Sequence, residues 1–280
     1  MPETHPSGES NAAHRSEFQG LLITGMLKTK NLWCQPCFRD SLERAGLLDL
    51  ESLGRKEFEW FETPNKRRGG WSGVSRIVLK TKSDVSEPVF LKIQQNHFYR
   101  SWRNAFLKKL SYTREFHAIR QLQHITSCVP EIIMHAEWKQ NGARMCVIMS
   151  KSLDEWQSLA HWLARRPGRE DIYRVLTALA DTLRPIHQAS WAHFGLFQKH
   201  IFVRKGDEGD YKIKLIDFEK ARKTILARQS VIEDLSRFLR HSKNLDDEVK
   251  IFFLQSYFQT QSFRPSHKQL IRKLRGAPKI

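Results

Sequence analysis

The chain has 280 residues, 40% hydrophobic and 28% charged, which excludes disordered and mini-protein classes because this size and composition can bury a sizeable core unaided. Forty-seven Lys and Arg against 30 Asp and Glu leave a net charge of +17, which predicts a polyanionic neighbour: nucleic acid, an anionic membrane surface or a phosphorylated substrate. No apolar run approaches the roughly 18 residues of a membrane span, the start MPETHPSGES lacks the pattern of a secretory signal, and Cys34, Cys37, Cys128 and Cys146 are too few for a disulfide framework, so the chain reads as cytoplasmic.

Residues 1 to about 16 are small and polar, and fraying is expected there. The stretch Trp33-Cys34-Gln35-Pro36-Cys37 has the spacing of a thioredoxin-type redox site. That chemistry needs a buried strand before the motif and a helix starting at the first cysteine to lower the thiol pKa, and a zinc site needs a second ligand pair. Lys28-Thr29-Lys30-Asn31 precedes it and no second pair is evident, so a local turn packed on the following lobe is expected.

From Phe58 the pattern becomes strand-like: Phe58 and Trp60, then Val74 to Leu79, then Val89 to Ile93, an antiparallel meander. Phe116, Ile119, Leu122 and Ile125 switch to helical spacing and predict a helix on that sheet, followed by a strand over Met145 to Met149. Beyond Pro167-Gly168, Ile172, Val175, Leu176, Leu179 and Leu183 mark a long helix that Pro185 ends or kinks. A short hairpin, Ile201 to Val203 and Tyr211 to Ile216, precedes further helices with Ile232, Leu235, Phe238 and Leu239, and later Val249, Phe252 and Phe253, on their apolar faces. This order is an α+β, two-lobed outline.

Several residues carry chemistry. Gly69, Gly70 and Gly73 lie between strand-like segments, where missing side chains and free N–H groups suit a phosphate cradle and equally a plain hairpin turn. Lys92 alternates with apolar neighbours on a strand, and burying its ammonium requires a partner, for which Glu115 on the next helix is the candidate. Asp217 ends the apolar strand Ile213 to Ile216, where a carboxylate is well placed to hold Mg²⁺ against phosphate oxygens or to cap a turn. His200 is a poor Mg²⁺ ligand, because that ion prefers oxygen, and a structural or phosphate-facing role fits it as well.

Taken together, PNKRRGGWSGVSR at Pro64 to Arg76, FLK at Phe90 to Lys92, REF at Arg114 to Phe116, KHIFV at Lys199 to Val203 and LIDFEKAR at Leu215 to Arg222 resemble the lipopolysaccharide-kinase family, the InaA/WaaP-type branch of the protein-kinase-like fold. The resemblance covers roughly residues 57 to 240. It implies a two-lobed protein-kinase-like fold: an N-terminal extension over 1–56, a small antiparallel-sheet N-lobe over 57–150 and a reduced helical C-lobe over 151–280. It further implies ATP and Mg²⁺ as cofactors, an inner-core sugar of lipopolysaccharide or a related anionic glycolipid as acceptor, Lys92 as the nucleotide-phosphate lysine, Glu115 as its partner and Asp217 as metal ligand, with His200 where a second metal-holding asparagine stands in protein kinases.

Two positions depart from the protein-kinase pattern. Arg68 occupies the first glycine position of GxGxxG, and Gly195 stands in His193-Phe194-Gly195 where the catalytic aspartate belongs. General-base catalysis is worth roughly 10²–10⁴-fold, while phosphoryl transfer depends mainly on positioning and charge neutralisation. A slow enzyme, with His193, Lys199 or Glu219 assisting, and a pseudokinase that binds nucleotide without transfer are both expected readings.

The basic residues fall in spread groups: Lys66 to Arg68; Arg100, Arg103, Lys108 and Lys109; Arg264, Lys268, Arg272, Lys273 and Arg275. No nucleic-acid module accompanies them. An anionic leaflet attracts each nearby cation by about 1 kcal/mol, so peripheral contact with the inner membrane is expected and nucleic acid is not.

Overall fold

The computed structural model describes residues 31–67, 69–81, 84–99 and 109–279. The fraying expected at the start and the basic residues Arg68, Arg100, Arg103 and Lys108 lie outside the described residues.

The two-lobed α+β outline is borne out. The small lobe comprises β1 (Asn31–Cys34), α1 (Arg39–Arg44), α2 (Leu50–Leu53), β2 (Glu62–Arg67), β3 (Gly70–Lys80), β4 (Ser86–Gln95), β5 (Phe98–Tyr99), β6 (Lys109–Leu110), α3 (Ser111–Leu122), β7 (Ile132–Gln140) and β8 (Ala143–Lys151). Six of these strands form an antiparallel sheet in the order β1-β7-β8-β4-β3-β2.

Strand periodicity sorts its two faces. Val89, Leu91 and Ile93 of β4 and Met145, Val147 and Met149 of β8 share one buried cluster with Phe38, Leu42, Leu47, Leu50 and Leu53. From residue 31 on, the segment expected as an N-terminal extension is therefore built into the small lobe. Its strand pairs with β7 from Asn31↔Glu137 to Cys34↔Met134, and its leucines cover the sheet face away from α3. The alternate residues of β8, Cys146 and Ile148, pack with Phe116, Ile119 and Leu122 of α3 in a second core that continues into the large lobe.

The meander begins later than expected. Phe58 and Trp60 precede β2 and form an aromatic chain to Trp71 of β3, with ring centroids 5.6 and 5.7 Å apart. Their alternation served lateral packing, which reads like a strand in sequence. Around Cys34 and Cys37, β1 is a solvent-facing edge, Pro36–Phe38 form a 3₁₀ turn and α1 starts only at Arg39. The first cysteine is thus not at a helix N-terminus. Gln35 ties the turn to the sheet by donating from Nε2 to the Ile132 carbonyl at 2.8 Å.

The large lobe holds β9 (Gln157–Ser158), α4 (Leu159–Ala164), α5 (Arg169–Gln188), β10 (Trp191–Ala192), β11 (Ile201–Lys205), β12 (Tyr211–Leu215), β13 (Arg222–Lys223), α6 (Ala227–His241), α7 (Asp247–Phe258) and α8 (Pro265–Ile271). Helix α5 buries Val175, Leu176, Leu179 and Leu183, and runs through Pro185 rather than ending there. In the last turn the proline forfeits only one intrahelical bond, and the Ala189 N–H closes the end on the Pro185 carbonyl at 3.1 Å. The β11–β12 hairpin returns the chain to the interlobe cleft with the register Ile201↔Leu215. No helix among the described residues is long and apolar enough to cross a membrane.

Candidate active site

Lys92 lies on β4 between the inward-facing Leu91 and Ile93, so the strand's alternation directs it to the opposite face, toward α3. Its Nζ meets Glu115 Oε1 at 2.7 Å, with the lysine side chain 24% and the glutamate 3% exposed. Burial works against the lysine's charge, but the carboxylates of Glu115 and Asp217 outweigh it and hold the ammonium above the ordinary lysine range. The same burial pushes Glu115 above the usual carboxylate range, while Lys92 pulls it back. Glu115 Oε2 has no hydrogen-bond partner, so Lys92 is the group that compensates this buried charge.

Asp217 follows β12 and is held in the left-handed region, at φ 66° and ψ 58°, as the chain turns into the 3₁₀ segment Phe218–Lys220. Aspartate tolerates that region better than most residues. The turn aims its carboxylate back at the cleft: burial would raise its pKa, but Lys92, His200 and His193 pull it below the usual carboxylate range. His200 Nδ1 is 2.8 Å from the Gly195 carbonyl, which only accepts, so Nδ1 carries the proton. Its Nε2 then faces Asp217 Oδ2 at 3.3 Å.

Asp217 offers one carboxylate to Mg²⁺. That suffices for an ion carried in on a nucleotide, because phosphates and water complete the oxygen shell. His200 adds a nitrogen beside it, which Mg²⁺ binds poorly. Among the described residues no group of three or more His, Cys, Asp and Glu converges as a resident metal cage.

His193, expected as a catalytic candidate, is engaged at both ring nitrogens. Nδ1 accepts from the Gly195 N–H at 3.1 Å, and Nε2 donates to the Ile216 carbonyl at 2.9 Å. Burial depresses its pKa, and Phe218 packs against the ring at 4.7 Å. Proton transfer through this ring would break a bond that shapes the loop.

The three glycines divide by role. Gly69 turns the β2–β3 hairpin at φ 75° with open space where a Cβ would stand. A Cβ on Gly70 would lie 2.5 Å from the carbonyls of Gln95 and Asn96, and one on Gly73 would lie 2.4 Å from the Trp60 ring. Gly70 and Gly73 thus permit close packing, and only Gly69 is fixed by turn conformation. A Cβ on Gly195 would come within 3.2 Å of His193 Nδ1.

Asp234 was missed in the sequence. It sits on α6, fully buried, and its carboxylate accepts from the backbone N–H groups of His193 (2.7 Å) and Phe194 (2.8 Å) and from His187 Nε2 (3.2 Å). These bonds hold its pKa below the usual range against burial. They also clamp Phe194 at φ 55°, and with it the loop carrying His193 and Gly195. The available signal was an acid among Val231, Leu235 and Phe238 on one helix face, where burying a charge demands donors.

Comparison with known proteins gives a family and a fold for this chain. A family model described as the lipopolysaccharide kinase (Kdo/WaaP) family matches residues 51–257. The chain is similar to Protein InaA of Escherichia coli (strain K12), 25% identical over 205 residues that cover 70% of this chain and 91% of InaA. Among solved structures it resembles the WaaP chain of "WaaP in complex with acyl carrier protein", with a TM-score of 0.59 and 16% identity over 86% of this chain and 92% of that one, a likeness of fold.

Proposed function

The chain belongs to the lipopolysaccharide kinase (Kdo/WaaP) family, and from that membership we propose that it is an ATP-dependent phosphotransferase acting on a sugar hydroxyl of an anionic membrane glycolipid, an inner-core sugar of lipopolysaccharide. The observation that carries the reading is the ion pair of Lys92 with Glu115 at 2.7 Å, with the Asp217 carboxylate near enough to act electrostatically on the same ammonium. Bound MgATP supplies the phosphoryl group. The chain's residues do the positioning: Lys92 binds phosphate oxygens, Glu115 fixes its ammonium, Asp217 holds the metal-bearing end of the nucleotide, and Asp234 keeps the facing loop in place. The large positive charge favours a position against an anionic leaflet, where such an acceptor is presented.

Purified protein incubated with γ-labelled ATP, Mg²⁺ and lipopolysaccharide is expected to transfer label to the glycolipid, and Asp217→Ala to abolish the transfer. Failure to bind nucleotide with Mg²⁺, together with no effect of Lys92→Ala, would end this reading. Gly195 favours a second one, a nucleotide-binding module without transfer, since no side chain at that position can orient or deprotonate an acceptor hydroxyl. Saturable ATP binding with no label transferred to lipopolysaccharide would select it.

A further inference from the structure

Beside the cleft lies a cavity of about 480 Å³ with walls from both lobes. Arg67 at the end of β2, Tyr99 on β5 and Arg114 on α3 line it from the small lobe, and Glu219, Lys220 and Arg222 from the chain just past Asp217. Among the described lining residues, four are cationic and one, Glu219, is a carboxylate.

Arg114 is half buried with its guanidinium 3.9 Å over the Tyr99 ring. Its Nε is buried without a hydrogen-bond partner, and no ion pair compensates it among the described residues. Burial accordingly draws its pKa below the ordinary arginine value, with Tyr99 and Glu219 opposing. At the solvent side, Arg222 stacks its guanidinium 3.4 Å from the Phe194 ring centre and donates from Nη1 to the Lys220 carbonyl at 3.0 Å. Stacking on an aromatic face leaves the edge of a guanidinium free, and that edge matches a carboxylate or phosphate with two parallel hydrogen bonds. Leaving a partly desolvated guanidinium unpaired is costly, and an anion from outside the chain would remove that cost.

The position separates this cavity from the nucleotide-phosphate group. Successive helical residues diverge by about 100° around the axis, so Glu115 reaches Lys92 while Arg114 leaves α3 in another direction, onto Tyr99. The far wall begins two residues after Asp217, next to the site of transfer.

We propose that this cavity is the anionic subsite of the acceptor: it receives a sugar bearing a carboxylate or phosphate, which Arg114 and Arg222 hold while a neighbouring hydroxyl is presented to the cleft. The cavity is about half open to solvent, and its volume leaves room for a small polar ligand that keeps one side in water. The proposal rests on the phosphotransferase reading and adds to it the residues that select the acceptor.

The test titrates the full chain, with and without a non-hydrolysable ATP analogue and Mg²⁺, with glucose 6-phosphate, glucuronate, glucose and inorganic phosphate by calorimetry. Saturable binding of the two anionic sugars, at least tenfold tighter than glucose, is expected. It should weaken at least tenfold in Arg114→Gln/Arg222→Gln and in the surface variant Arg222→Gln alone by a smaller factor, while analogue affinity in the same samples stays at the wild-type value and so reports an intact fold. Equal binding of glucose and the anionic sugars, inorganic phosphate binding as tightly as glucose 6-phosphate, or unchanged sugar binding in the double variant would each overturn the subsite. Loss of analogue binding in the wild-type protein would instead overturn the phosphotransferase reading, so the two failures are distinct.

Discussion

Replacing Lys92 by methionine leaves the Glu115 carboxylate, 3% exposed and with Oε2 unpartnered, inside the α3 face of the sheet without its cation. Two outcomes are open to the carboxylate, and both are costly. Staying charged costs about 3–5 kcal/mol, the usual penalty for removing one partner of a buried pair. Taking a proton costs about 1.4 kcal/mol for each pH unit above the unfolded glutamate's pKa of about 4.3, or about 4 kcal/mol at pH 7.5. The cheaper route sets the loss, so Lys92→Met should lose about 3–4 kcal/mol at pH 7.5. The sign follows from linkage: in the variant the folded state binds a proton that the unfolded state releases, so the deficit shrinks as pH falls, to roughly 2 kcal/mol at pH 5.5. Lys92→Met/Glu115→Gln should recover most of the loss at pH 7.5, because no charge remains to be compensated. Urea denaturation of the wild type, both single variants and the double variant at the two pH values closes the cycle. A deficit below about 1 kcal/mol that does not change with pH, or a double variant as unstable as Lys92→Met, would refute the claim that this pair is mutually compensating.

Other outcomes follow from neighbouring features. Asp234→Asn should destabilise by about 3–5 kcal/mol, because an amide cannot accept all three of the bonds from His193, Phe194 and His187; hydrogen exchange should quicken first at residues 193–195, and unchanged protection there would show that Asp234 does not hold the loop. His135 lies stacked on Phe116 with its pKa pushed down to about 3 by burial. Between that value and about 6.5 only the unfolded state takes the proton, so the wild type loses stability as pH falls through this window, and His135→Phe should gain about 2 kcal/mol on it between pH 7.5 and 5. A stability difference independent of pH would contradict the assignment. Gly73→Ala must displace the Trp60 ring and should cost about 1–3 kcal/mol, whereas Gly69→Ala meets only the strain of a positive φ, about 1 kcal/mol; thermal unfolding in the reverse order would refute the division of the hairpin's glycines into packing and turn positions.

The grouping of Lys92 and Asp217 was legible because each of these residues violates a local pattern. Lys92 interrupts an apolar strand, and Asp217 ends one. Asp234 violates the pattern of α6 in the same way, but one acid on a helix has many ordinary explanations, and its partners are backbone N–H groups about forty positions away that no side-chain pattern reveals. The covering of the sheet by residues 31–53 was illegible for a different reason. Leu42, Leu50 and Leu53 belong to two helices of six and four residues, too short to establish a helical period, and Leu47 lies in the link between them. Phe58 and Trp60 misled because alternation on a packing aromatic chain resembles alternation on a strand. The cavity arginines stood among the many cations of a basic chain, and only three-dimensional burial separates Arg114 from its solvated neighbours.

The pairing of Asn31–Cys34 with Met134–Glu137 has a consequence for biogenesis. Asn31–Cys34 supplies an outer strand whose partner among the described residues is made about a hundred residues later, a contact of high sequence separation that folds slowly. Until then the leucines of residues 42–53 have no sheet to cover, and the nascent segment presents an unpaired edge and an apolar surface together, the combination on which misassembly and chaperone capture act. A shortened form beginning at Glu57 would make that transient condition permanent: Val89, Leu91 and Ile93 would face water on one side, and β7 would become the open edge of the sheet.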